Sequence, residues 1–109
     1  MQIRKMSVQD LASRLSADEI CLLDVREPWE VATAHIDAAL AIPMNDVPDH
    51  LDELRKAANG RDIVVMCHSG QRSAVITRFL NQAGFGDVFN LDGGITAWSQ
   101  YIDPAVPSY

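Results

Sequence analysis

Positive charge is the first thing this chain is short of. Only two of its nine basic residues are lysines, and fifteen acidic residues leave a net charge of −6 over 109 residues. A nucleic-acid binder needs a surplus of positive charge to displace counterions, so no nucleic-acid partner is expected. An anionic membrane surface is disfavoured for the same reason, and no membrane partner is expected. Any small anionic substrate must be drawn in by a local feature, against the field of the whole molecule. Long apolar runs are missing too. None approaches the roughly 18 residues of a membrane span. The opening Met-Gln-Ile-Arg-Lys-Met-Ser lacks the apolar stretch of a secretory signal. Cysteine is scarce. Cys21 and Cys67 form no Cys-x-x-Cys pair and no disulfide framework, so a reducing cytoplasm is the expected compartment. His35 and His50 have no ligand-type partner at zinc-site spacing, so no metal and no cofactor are expected. Repeats, low-complexity tracts and internal linkers are likewise absent.

What is present is an ordinary globular balance, with 48% apolar and 22% charged residues. One domain over residues 1–109 is expected, with a core at about 6–98 and a tail at 99–109. Ser7 can cap a helix whose Val8, Leu11, Ala12 and Leu15 share a face. Ile20–Leu23 reads as a buried strand ending at Asp24. Pro28 suits the first turn of a short helix through about Ala34. Ala41–Pro43 is a possible short strand, limited by its proline. Asp46 can cap a helix carrying Val47, Leu51, Leu54 and Ala58, with Gly60 as the stop. Ile63–Met66 is β-branched and apolar on both faces, as a central parallel strand would be. Ile76, Phe79, Leu80 and Ala83 mark the next helix, closed by Gly84. Val88–Leu91 is another strand, and Gly93-Gly94 opens a short helix holding Ile95 and Trp98. Pro104 and Pro107 forbid regular structure at the end. Strands alternating with helices predict an α/β fold, a parallel sheet with helices on both faces. Sites in such sheets lie at the carboxyl ends of the strands, just after Met66 and just after Leu23.

Cys67 follows Met66 and opens the stretch Cys67-His68-Ser69-Gly70-Gln71-Arg72-Ser73. Backbone N–H groups in such a loop can converge on one point and form an anion nest. The N-terminus of the next helix adds positive potential there. Both favour a thiolate, and cysteines at helix N-termini titrate anywhere from roughly 3.5 to 7.5. His68 and Arg72 add side-chain positive potential. One seven-residue stretch thus supplies a nucleophile and an anion cradle. Cys21 lies inside an apolar strand and reads as a structural cysteine.

The chain resembles single-domain rhodanese-like sulfurtransferases. The resemblance runs from about Met6 to Trp98. It rests on Leu22-Leu-Asp-Val-Arg-Glu-Pro28, His35-Ile36, Ile42-Pro43, the Cys67–Ser73 loop, Gly84-Phe85, and Leu91-Asp-Gly-Gly94 followed by Trp98. It implies a single rhodanese-like domain with a central parallel sheet of about five strands. It also implies a loop cysteine that accepts a sulfane sulfur, becomes a persulfide, and passes the sulfur to a nucleophilic acceptor. The donor would be thiosulfate or a polysulfide, or a protein persulfide such as a cysteine desulfurase carries. Cyanide, a thiol or a sulfur-carrier protein would be the acceptor. By the same resemblance Asp24 could accept hydrogen bonds from the loop, Arg26 would pair with Glu30, and His35 would be structural. Trp29 and Trp98 read as core or edge packing, and Gly93-Gly94 as a place of close backbone approach. Ala34 and Ala38 stand where the family often has glycine, which implies a different local turn. The ending from Trp98 to Tyr109 is similar to rhodanese domains fused behind adenylyltransferases that thiolate sulfur carriers. Two other uses of the loop cysteine stand beside this one. A phosphatase or arsenate reductase is one, although tyrosine phosphatases space cysteine and arginine as Cys-x5-Arg and this loop is Cys67-x4-Arg72. A redox-sensing binding module with an exposed thiolate is the other.

Overall fold

The structure, a computed structural model, describes residues 3–109. Met1 and Gln2, which begin the opening stretch read above, lie outside the described residues. Five strands form one sheet: β1 (Arg4–Met6), β2 (Ile20–Asp24), β3 (Leu40–Ala41), β4 (Asp62–Met66) and β5 (Val88–Leu91). Their order is β1-β5-β4-β2-β3, and every pairing is parallel. The helices are α1 (Val8–Ser16), α2 (Pro28–Thr33), α3 (Leu51–Ala58), α4 (Gln71–Gln82) and α5 (Gly94–Tyr101). The expected α/β architecture is therefore the one observed. Among the described residues, no helix is long and apolar enough to cross a membrane.

Side-chain alternation along the two central strands builds two cores. On one face Cys21 and Leu23 of β2 join Ile63 and Val65 of β4, and pack with Leu54, Ile76 and Leu80. On the other, Ile20 and Leu22 join Val64 and Met66, and pack with Leu11, Ile95 and Trp98. Cys67 continues the β4 alternation, so it falls on the face covered by α3 and α4. The register sets Asp24 beside Met66, which brings the carboxyl ends of β2 and β4 level with each other.

Four local expectations need correction. Asp46 does not cap α3. It lies inside a 3-10 stretch, Met44–His50, which Pro48 interrupts, and α3 starts only at Leu51. Asn59 ends α3 in the left-handed region at φ 50°, one residue before Gly60. The short strand β3 sits at Leu40–Ala41, one residue earlier than read, and β1 was not anticipated. Ala34 has φ −155° and Ala38 is not among the positive-φ residues, so this turn has no need of glycine at either place.

Candidate active site

Cys67 leaves the end of β4, and the chain turns immediately into α4. The turn is made by Gly70, at φ 115°, which occupies the N-cap position of the helix. That backbone conformation favours glycine and aims the next N–H groups inward. The Gly70 N–H donates to Cys67 Sγ at 3.1 Å, and Ser73 Oγ lies 3.3 Å from the sulfur. Burial pushes the thiol pKa up. The Ser73 hydroxyl and the N–H groups of Ser73, Gly70 and Arg72 outweigh it, and the net direction is below the ordinary cysteine value. The loop therefore brings the Gly70 N–H and the Ser73 hydroxyl onto the sulfur. Cys67 itself is 1% exposed, so the sulfur lies on the floor of the loop and is not the exposed thiolate that a redox sensor would present.

A second layer holds the loop in place, and Asn90 of β5 is its centre. Its Oδ1 accepts from Ser73 Oγ, and its Nδ2 donates to the Gly70 carbonyl at 3.1 Å. One buried amide therefore fixes both residues that touch the sulfur. Below the loop, α5 begins against it. The Ile95 and Thr96 N–H groups donate to the carbonyls of Cys67 and His68, at 3.0 and 3.1 Å. Gly94 makes this approach possible, because a Cβ there would stand 2.5 Å from the His68 oxygen and 2.6 Å from the Cys67 oxygen. The close approach expected of Gly93-Gly94 is real, and the loop is what it serves.

The arginines depart from expectation. Arg72 was expected to offer free positive potential to a substrate. Instead its guanidinium clasps Glu30 of α2 with both ends, at 2.6 and 2.8 Å. The Arg72 guanidinium holds Glu30 at a pKa of about 2, with help from the Tyr109 hydroxyl and against the cost of burial. Arg26 does not pair with the Glu30 carboxylate. It is fully buried, forks onto Asp24, and donates to the carbonyls of Glu30 and Ala34. Asp24 is occupied by that guanidinium and by the Arg26 N–H, and among the described residues it accepts no hydrogen bond from the loop. Asp24 and Arg26 thus brace the end of β2 and the start of α2. Ser69 and Gln71 are exposed, and His68 is half-buried.

Residue 109 was missed as part of the site. Val106 packs into the core, and Ser99 Oγ donates to its carbonyl, which seats the tail. The Tyr109 ring then stacks on His68, with centroids 4.3 Å apart. Its hydroxyl donates to Glu30 Oε2 at 2.7 Å and accepts from Arg26 Nη1 at 2.9 Å. Trp29, read as packing, is 64% exposed and meets Tyr109 edge-on, whereas Trp98 is buried as expected.

The profile of the rhodanese-like domain matches residues 7–101, nearly the whole fold just described. The chain belongs to the rhodanese-like family. A sulfurtransferase of Allochromatium vinosum is 37% identical over 105 residues, covering 95% of each chain. YtwF of Bacillus subtilis, whose name also carries the sulfurtransferase designation, is 37% identical over 95% of this chain and 98% of its own. The crystal structure of a rhodanese-related protein from Thermoplasma volcanium superimposes with a TM-score of 0.79 at 29% identity, over 95% of both chains. Among the described residues no group of three or more His, Cys, Asp or Glu side chains is arranged to hold a metal ion.

Proposed function

We propose that this protein is a rhodanese-type sulfurtransferase that carries a sulfane sulfur on Cys67. The observation that carries the reading is a cysteine at a strand end whose sulfur receives a backbone N–H at 3.1 Å and whose pKa lies below the ordinary value. A thiolate attacks a sulfane sulfur, and the donor's remaining fragment leaves as a stable anion. The product, Cys67–S–S⁻, is itself an anion in a cradle of N–H donors, so the same groups serve nucleophile and intermediate. A thiophilic acceptor, small or a carrier protein, then takes the outer sulfur and returns Cys67 to the thiolate. A reducing cytoplasm suits a mechanism that needs a free thiolate. Phosphoryl chemistry fits less well, because the arginine that would grip a phosphate is already held by Glu30.

The test is mass spectrometry of the protein after exposure to a sulfane-sulfur donor. One added sulfur, about 32 Da, should appear on Cys67 and be removed by cyanide, whereas sulfenic acid would add about 16 Da. Absence of the sulfur adduct with thiosulfate, polysulfide and an organic persulfide alike would overturn the reading.

A further inference from the structure

Arg72 is the only residue of the 67–73 loop with a permanent positive charge. Both of its outer nitrogens are on the Glu30 carboxylate, which is 4% exposed and bonded in turn by the Tyr109 hydroxyl. Arg26, the other arginine of this cluster, is buried on Asp24. Each cation here has its own carboxylate, on a protein of net charge −6. The N–H groups of the loop remain, and they already serve one negative charge, the Cys67 thiolate.

Donor charge then decides what reacts easily. Thiosulfate brings two negative charges to a thiolate that carries one. The Cys67 thiolate bonds to its outer sulfur, the S–S bond breaks, and sulfite leaves with both charges. A hydropersulfide is more acidic than a thiol, so it brings one negative charge as R–S–S⁻ and none in its reactive form, R–S–SH. The thiolate bonds to the outer S–H sulfur, the S–S bond breaks, and the electron pair leaves on RS⁻. Cys67–S–SH remains and then gives its proton to solvent. With no unpaired cation in the loop, the dianion meets more charge repulsion than the hydropersulfide does.

Resting on the sulfurtransferase reading above, we infer that this site takes its sulfur from organic hydropersulfides in preference to thiosulfate, with Glu30 as the specificity-determining residue that keeps Arg72 out of use. Tyr109 positions Glu30 and so belongs to the same device.

The experiment compares loading of Cys67 from thiosulfate and from cysteine hydropersulfide, read as kcat/KM by mass, with Cys67→Ser as the background. The wild-type protein should favour the hydropersulfide by at least about tenfold. Glu30→Gln frees the guanidinium and should lower the hydropersulfide-to-thiosulfate ratio about tenfold, through a lower KM for thiosulfate. The double variant Glu30→Gln/Arg72→Gln, a second protein in case Glu30→Gln alone does not fold, removes the pair with both its charges and should keep the wild-type donor ratio. Equal or better loading from thiosulfate in the wild type overturns the inference. So does a double variant that loses thiosulfate selectively, since that is the behaviour of an anion anchor. Either result leaves the sulfurtransferase reading standing, whereas no loading from either donor removes that reading itself.

Discussion

Cys21, on β2, and Cys67, just past the end of neighbouring β4, face the same side of one sheet, and both are almost wholly buried, at 5% and 1% exposed. Their acidities nevertheless move in opposite directions. Burial raises the pKa of Cys21, with only a small opposing pull from the Arg61 charge. Burial also acts to raise that of Cys67, and there it is overcome. The difference is the Ser73 hydroxyl and the state of the nearby backbone. Cys21 lies mid-strand and pairs with Ile63, so the N–H groups around it are spent on the ladder. Cys67 stands one residue past the last pair of β4, where the N–H groups at the start of α4 have no earlier carbonyl to take them. The lower pKa of Cys67 follows from the Ser73 hydroxyl and unspent backbone donors, not from exposure.

Exchanging sulfur for oxygen at each cysteine is the harshest way to break this comparison. Cys67→Ser should abolish sulfur transfer, to below about one hundredth of the wild-type rate, while the fold survives. Cys21→Ser should keep transfer and lose about 1–3 kcal/mol of stability, because a hydroxyl enters an apolar strand. Donor-to-cyanide turnover and urea titration measure the two effects. If Cys21→Ser were as inactive as Cys67→Ser, the contrast between the sites would collapse.

Gly94→Ala attacks the support under Cys67 without touching the sulfur. The new methyl would stand within 2.6 Å of two loop carbonyls, at a residue whose φ is 58°. We expect a loss of about 2–4 kcal/mol together with most of the transfer activity, seen as a lower Tm and slower turnover. A protein of unchanged Tm and turnover would mean that the loop and α5 are not rigidly joined. Gly60 is the matched control, since a Cβ there meets nothing within 4 Å.

The contrast between these two places also shows how far the sequence could be read. Cys67, its loop and the cradle were legible because strand, loop and helix start are consecutive. That β4 would be buried on both faces was legible in its unbroken apolar run. Strand β1 was not, because Arg4 and Lys5 are exposed on an edge and only Met6 is buried, which leaves no periodic signal. The Arg72–Glu30 pair joins residues 42 apart, and nothing near either one announces the other. Asn90 read as one more residue of an apolar strand, and its role appears only when β5 is laid beside β4. The prolines of the tail correctly forbade regular structure, but they also hid that an irregular segment can be firmly seated.

Asn90→Asp should push Cys67 towards the behaviour of Cys21. It keeps the size of the side chain and places a carboxylate beside the hydroxyl that touches the sulfur. A negative charge there disfavours the thiolate, so the Cys67 pKa should rise by about one to two units. The sign follows directly. A raised pKa removes thiolate at neutral pH, and the rate of sulfur loading should regain its wild-type level only on the alkaline side. Thiolate absorbance against pH reads the shift, with Cys21→Ser as background to remove the other thiol. A Cys67 titration unmoved by the aspartate would separate Asn90 from the reactive sulfur.

The finest test concerns one proton on Ser73. Its hydroxyl lies between Cys67 Sγ and Asn90 Oδ1 and has a single hydrogen to give. With Cys67 protonated, the thiol hydrogen points to Ser73 and the Ser73 hydrogen to Asn90. Once the thiolate forms, the Ser73 hydrogen turns to the sulfur, because a hydrogen bond to an anion is the stronger one. Ser73→Ala removes that option and leaves the N–H groups of Gly70, Arg72 and residue 73 in place. A net hydrogen bond of about 0.5–1.5 kcal/mol corresponds to a rise of roughly 0.4–1.1 units in the Cys67 pKa. The effect should be smaller than that of Asn90→Asp, with the same sign, and the pH profile of sulfur loading should move with it. If the pKa does not move, the Ser73 hydrogen stays on Asn90 throughout. The backbone donors alone would then account for the whole difference between Cys67 and Cys21.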